Sequence, residues 1–225
     1  MRGFDFPDIT IERISGNPGD ALVLRSRRTL HTLSSAIVGG GFGSTRTILN
    51  RHVHKDYDDR DPRADMIAFA RHHGIAGRFV GLMTAVFLDN ARAATSAGGD
   101  LRVTTVATVG LGNRIAAGLT APVPVSPGTI NLIVLVDSHL TPGAMVNAAV
   151  TVTEAKSHVL SSQGVRTKDG YAATGTSTDA LVVACTGRGP TLPYAGPATQ
   201  VGWNIARTVR EAMLARLRSM LGPSA

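Results

Sequence analysis

Residues 126–184 read SPGTINLIVLVDSHLTPGAMVNAAVTVTEAKSHVLSSQGVRTKDGYAATGTSTDALVVA, and the order of patterns inside them decides the fold. Leu132-Ile133-Val134-Leu135-Val136 is a short, continuous, β-branched run, the pattern of a strand buried on both faces. Thr141 reads as an N-cap with Pro142 at the first helical position, and Gly164 closes the helix that follows. A Gly- and Thr-rich turn then leads into a last apolar run, Leu181-Val182-Val183-Ala184. The order is strand, helix, strand. Its polar clusters, PGTIN (127–131), TEAK (153–156) and ATGTSTDA (173–180), all sit at the edges of apolar runs. Such edges are where a rigid scaffold holds binding groups.

Outward from this stretch, 225 residues with 43% apolar content suffice for a sizeable core in a single compact domain over 1–225. Aromatic residues make up only 4%, so that core is built from Ala, Val, Ile and Leu. Short strands are expected at Ile9–Ile14, Ala21–Arg25 and Thr29–Leu33. A turn at Asn17-Pro18-Gly19-Asp20 joins the first two, and a hairpin at Ser26-Arg27-Arg28 joins the second and third. Asp61-Pro62 starts a helix with Met66, Phe69, Ala70 and His73 on one face, ended by Gly74. Ser96 to Asp100 reads as a turn, Arg102–Thr108 as a strand, Ala121–Pro127 as an extended three-proline connector. Gly196–Leu221 reads as an amphipathic helix stopped by Gly222-Pro223. The fold class is α/β, a mixed sheet packed with helices, with strand order left open.

The net charge is +7, carried by 20 Arg and only 3 Lys. The arginines are scattered and lack aromatic interleaving or a reading motif, so no nucleic-acid partner is expected. One cysteine, Cys185, excludes an internal disulfide and a Cys-rich zinc site, and fits a reducing compartment. Without a visible signal peptide or an apolar run long enough to span a bilayer, a cytoplasmic protein away from membranes is expected. Self-association stays open. His52 and His54 alternate beside Asp56 and Asp58, yet read as incidental members of a polar loop, with no metal expected.

Four Gly in five positions, at 39, 40, 41 and 43, allow either a close backbone approach to a ligand or a plain flexible turn. On the helix 142–163, Asn147, Thr151, Glu154 and His158 share a face opposite Met145, Ala148, Val152, Ala155 and Val159. A polar stripe is ordinarily solvated, but Glu154 is one of only 3 glutamates in the chain. Lys156, two residues on, points elsewhere. The 174–179 run, Thr174-Gly175-Thr176-Ser177-Thr178-Asp179, is either a turn network or a loop that grips amides.

The same segments, with SSAIVGGG (34–41), ILN (48–50), GLMTAV (81–86), VGLGN (109–113), AAG (116–118) and YAG (194–196), resemble the adenosylcobinamide amidohydrolase family from about Thr32 to Ala206. The resemblance implies hydrolysis of the amide joining the corrin propionyl arm to 1-amino-2-propanol, giving adenosylcobyric acid for cobalamin salvage or remodelling. The sequence shows no required cofactor, and the corrinoid substrate carries its own cobalt. On the matching motifs it implies a catalytic set of Thr129, Asn131, Glu154 and Asp179. It implies substrate contacts from Ser34, Ser35, Gly39, Gly40, Asn50, Thr84, Gly110, Asn113, Lys156, Thr174, Thr176, Ser177 and Thr178.

A weaker likeness, in the order ATVGLG, GTIN-LIVLVD and GTSTDALVVA, is to ornithine acetyltransferase, a self-cleaving threonine-nucleophile enzyme. It implies Thr129 as nucleophile, freed by a cut at Gly128–Thr129, with oxyanion donors from Thr108 to Gly110. Without that cut, a water activated by Glu154 takes the nucleophile's place. A non-catalytic corrinoid-binding protein and a self-cleaving acyltransferase are the alternatives to the hydrolase.

Overall fold

The computed structural model describes residues 1–122 and 129–221. The strands are β1 (Ile9–Ile14), β2 (Ala21–Ser34), β3 (Gly41–His52), β4 (Val80–Thr84), β5 (Arg92–Gly98), β6 (Leu101–Val109), β7 (Arg114–Ile115), β8 (Ile130–Val136), β9 (His139–Leu140), β10 (Gly175–Thr176), β11 (Ala180–Cys185) and β12 (Thr191–Leu192). The helices are α1 (Pro62–His72), α2 (Pro142–Ser162) and α3 (Gln200–Leu221). Most of the connector Ala121–Pro127, and the stop Gly222-Pro223, lie outside the described residues.

The main sheet runs β4-β3-β2-β11-β8-β6-β5, with β1 added to β2. The β11–β8 and β3–β4 pairs are parallel, and the others antiparallel. Alternation along the strands shows that this sheet folds back on itself. On β8, Leu132, Val134 and Val136 pack with α2 and α3 side chains such as Val152 and Ile205. Ile133 and Leu135, one residue out of phase, instead meet Leu24, Ile48, Val80 and Leu82 from β2, β3 and β4. On its other face β3 packs Leu49 against Met66 and Phe69 of α1. The order through the molecule is therefore helices, sheet, sheet, helix. Every residue of β8 is buried, as a continuous apolar run requires. Each large aliphatic side chain so buried contributes roughly 1.5–3 kcal/mol.

The caps are those the sequence prescribes. The Asp61 carboxylate accepts from the Ala64 N–H at 2.9 Å, and the Thr141 hydroxyl accepts from the Ala144 N–H at 3.1 Å. The hairpin expected at Ser26-Arg27-Arg28 does not exist. Residues 21–34 are one strand whose register with β3 slips between Arg25 and Leu30. The Ser26 hydroxyl accepts from the Arg28 N–H at 3.1 Å, and the Arg27 N–H donates to the Asp8 carbonyl at 2.9 Å, so local bonds fill the bulge. Two boundaries also move. Ser96 and Ala97 belong to β5, leaving the turn to Gly99-Asp100, and α3 begins at Gln200 rather than Gly196.

Candidate active site

The fold-back places polar side chains from opposing strands against one another at one rim of the sheet interface. Asn131 lies one residue inside the start of β8, on the face turned to the other layer. Its Nδ2 donates to the Asn50 Oδ1 of β3 at 2.9 Å and to the Met83 carbonyl of β4 at 2.8 Å. The Asn50 Nδ2 donates to the Thr108 hydroxyl of β6 at 3.2 Å. Asn131 and Thr108 are fully buried and Asn50 is 1% exposed, so these bonds form where water cannot replace them. The Asn131 Oδ1 is thereby turned to Thr129, whose Oγ1 lies 3.0 Å away and 2.6 Å from the Thr178 carbonyl.

Thr129 is held through its backbone as well. The Gly110 N–H donates to the Thr129 carbonyl at 2.9 Å. The Asp179 Oδ1 accepts from the next N–H, that of Ile130, at 3.2 Å. The Thr129–Ile130 peptide is thus clamped from both sides. The Asp179 Oδ1 also accepts from the Thr176 N–H at 3.1 Å and from the Thr176 hydroxyl, while its Oδ2 pairs with Lys156.

Thr129, Thr178, Asp179, Thr84 and Ser35 line a cleft of about 540 Å³. Leu82, Val53 and the exposed Ile37 give it apolar walls. Tyr57, Asp58 and Asp59 form its acidic lip. Burial and the hydrogen bond it donates to Asp65 push the Tyr57 phenol far above its ordinary pKa, so it stays neutral. A second cavity of about 350 Å³ lies under α2 and is lined by Ser34, Val152, Lys156, Leu181 and, in common with the cleft, Ser35, Asp179 and Ala180.

Of the residues named from sequence, Thr129, Asn131, Asp179, Asn50, Thr84, Ser34, Ser35, Lys156, Thr176 and Thr178 thus gather at or beside the cleft. Asn113 supports the loop, its Nδ2 donating to the Ser177 hydroxyl at 2.7 Å. The Thr174 hydroxyl and carbonyl are taken by the Ala117 N–H at 2.9 Å and the Ser157 hydroxyl at 3.0 Å.

Several expectations need correction. Glu154 is exposed and makes no hydrogen bond or ion pair among the described residues, so it is not placed to activate a water in the cleft. The polar stripe around it does not share one environment. Asn147 and His158 are exposed, whereas Thr151 is buried and donates to the Ala195 carbonyl at 3.0 Å. Of TEAK, Lys156 is the residue that reaches the site. Gly110 offers no free oxyanion donor, its N–H being committed to the Thr129 carbonyl, and the Thr108 hydroxyl, which accepts from the Asn50 Nδ2, is fully buried and does not line the cleft. Gly39 and Gly40 serve close packing. A Cβ at Gly39, which has φ +73°, would lie 2.7 Å from the Phe79 carbonyl oxygen, and one at Gly40 would lie 2.8 Å from that of Ala36. A Glu154→Gln protein is therefore expected to keep kcat and KM within about twofold of the parent, as exposed substitutions do. A large loss of kcat would return Glu154 to the site.

The sequence reading missed Tyr57, Asp58 and Asp59, which it placed in an incidental polar loop. The acidic run Asp56-Tyr57-Asp58-Asp59 was the available signal. Cys185 is fully buried and desolvation pushes its thiol up to about 12, which removes it as a nucleophile. Among the described residues no group of three His, Cys, Asp or Glu could hold a metal ion, and no helix is long and apolar enough to cross a membrane.

A family model described as adenosylcobinamide amidohydrolase matches residues 8–224. The adenosylcobinamide amidohydrolase of Methanosarcina mazei is 30% identical over 189 residues, covering 80% of this chain and 86% of that one. A protein of the same name from Halobacterium salinarum is 37% identical over 145 residues, 61% of this chain and 58% of that one. Among solved structures, the PH0078 protein from Pyrococcus horikoshii OT3 superposes with a TM-score of 0.57 over 93% of this chain and 84% of that one, at 11% identity, a likeness of fold alone. With a family model spanning nearly its whole length, the chain belongs to the adenosylcobinamide amidohydrolase family and is an amidohydrolase.

Proposed function

We propose that this protein hydrolyses the amide between the corrin propionyl arm and 1-amino-2-propanol in adenosylcobinamide, releasing adenosylcobyric acid, and that Thr129 is the attacking group. The observation that carries this reading is the Thr129 hydroxyl, whose own peptide is clamped at both ends, at the wall of the cleft. The Thr129 Oγ1 attacks the amide carbon. The C–N bond breaks, the amino alcohol leaves with the proton, and water then hydrolyses the threonyl ester.

A base must take the Oγ1 proton. The two acceptors next to that oxygen, the Asn131 Oδ1 and the Thr178 carbonyl, are amide oxygens and far too weakly basic to keep it. No carboxylate, imidazole or amine hydrogen-bonds to Thr129 Oγ1 among the described residues. The α-amine of Thr129 itself would lie within reach, which favours a chain cut between Gly128 and Thr129. Self-cleavage and amide hydrolysis are compatible, since a hydrolase differs from an acyltransferase only in using water as the acyl acceptor. The amide-rich surroundings, Asn50, Asn131 and the 174–178 loop, suit a substrate rimmed with carboxamides.

Charge supports the substrate class. Although the chain is basic overall, Asp58 and Asp59 line the cleft without an ion pair, the Asp179 charge is met by Lys156, and no Arg or Lys is among the lining residues described. That local sign suits a cationic corrinoid such as cobinamide. The double substitution Asp58→Asn with Asp59→Asn is expected to raise KM about fivefold at low salt with kcat unchanged, and the difference should shrink as salt screens it. A KM that does not move would remove the acidic lip from recognition. Turnover is tested by chromatography of adenosylcobinamide incubated with the protein. Equal amounts of adenosylcobyric acid and 1-amino-2-propanol support the reading, and corrinoid that binds but returns intact favours a binding protein instead.

A further inference from the structure

The Lys156–Asp179 ion pair sits off the reacting oxygen, yet it is wired to it. The geometry points to Lys156 as a positioning residue that acts on Thr129 through Asp179, an inference that rests on the reading of Thr129 as the attacking group. The path has three links. Lys156 pairs with the Asp179 Oδ2 where the two side chains are only 14% and 18% exposed. The Asp179 Oδ1 accepts from the Ile130 N–H at 3.2 Å. That N–H belongs to the peptide whose carbonyl, that of Thr129, is fixed by the Gly110 N–H at 2.9 Å. With both ends of the peptide bonded, the Thr129 backbone is held in place, and from there its Oγ1 reaches the Asn131 Oδ1 and the Thr178 carbonyl.

The pair is built in rather than incidental. Gly175 lies against both partners, and a Cβ there would stand 2.8 Å from the Lys156 Nζ and closer still to the Asp179 carboxylate. The bare backbone at Gly175 is what lets the pair seat. A carboxylate this enclosed needs its countercharge. With Lys156 removed, Asp179 keeps three donors from neutral groups but no cation, and the cheapest relief is to swing toward water. That movement would release the Ile130 N–H and free the peptide. Exposed Glu154, in the same TEAK motif, has no such connection.

The test compares Lys156→Met, Asp179→Asn and the double variant with adenosylcobinamide as substrate. kcat is counted per chain that carries a free Thr129 amine. Lys156→Met should lower kcat by roughly 100-fold, the scale of a misplacement near 1 Å, with KM within about twofold. The double variant should recover about tenfold over Lys156→Met, because a carboxamide Oδ1 still accepts from Ile130 and Thr176 and no enclosed charge is left alone. Should Lys156→Met not fold, Gly175→Ala crowds the same pair without removing a charge and is expected to cost kcat in the same way. A kcat for Lys156→Met within twofold of the parent overturns the assignment. So does a rise in KM at constant kcat, or a double variant no better than Lys156→Met, since each would place Lys156 on the substrate itself. Failure of the underlying reading looks different: a Thr129→Ala protein would stay active whatever Lys156 does.

Discussion

A Thr129→Ala protein is expected to lose hydrolysis of adenosylcobinamide by on the order of 10³–10⁶-fold while keeping the parent's fold, as removal of a nucleophile does elsewhere. The side chain occupies a clamped position at the start of β8 and is 3% exposed. Its removal takes away one hydroxyl donor and leaves behind two amide oxygens, the Asn131 Oδ1 and the Thr178 carbonyl, that water entering from the cleft can solvate. The loss should therefore fall on kcat and not on stability. Thr129→Ser retains an oxygen at the same place and is expected to retain turnover. Full activity in Thr129→Ala would move the chemistry to an activated water, and the search for its base would begin at Asp179, the carboxylate that lines both cavities.

The second large effect is expected from Asn131→Leu, and here stability and activity should fall together. Asn131 is the only side chain that bonds both β3 and β4 to β8 at this rim among the described residues, through the Asn50 Oδ1 and the Met83 carbonyl. A leucine has nearly the same bulk but strands both acceptors beside a fully buried position. The cost of two stranded acceptors is roughly 3 kcal/mol, which lowers Tm by roughly 6–12 °C for a chain of this size. Activity should drop by roughly 100-fold as Thr129 loses its neighbour. By contrast Ile133→Val, two residues along the same face, should cost only about 1 kcal/mol and leave kcat alone. An Asn131→Leu protein that melts and turns over like the parent would show that the Asn50–Asn131 bridge is dispensable.

How far the sequence reached follows from what each signal encodes. The β8–α2–β11 unit was legible because a β-branched run, a Thr-Pro start and a Gly stop are local features, each with a local physical cause. The course of β2 was not. Ser26-Arg27-Arg28 has turn chemistry, and only the partners on either side, Asp8 and the slipped register with β3, show that the chain bulges and continues. The candidate site was legible residue by residue where the resemblance supplied it, but not as an assembly. Asn50 and Asn131 are 81 positions apart and meet only because the sheet folds over, which no periodicity announces. Glu154 and Lys156 illustrate a different limit. Helical spacing says that residues two apart point to different sides, but not which side faces the cleft. The scarcity of glutamate favoured Glu154, while packing of Met145, Ala148 and Val152 on the sheet turned Lys156 inward and left Glu154 in solvent.

The most direct test of the account is the intact mass of the purified protein, measured on the same sample whose hydrolysis of adenosylcobinamide is followed. Thr129 acting with its own amine predicts two chains, residues 1–128 and 129–225, in the active protein, and a single uncut chain in Thr129→Ala. A single chain of 23.5 kDa that nonetheless hydrolyses the substrate at the parent rate would contradict it.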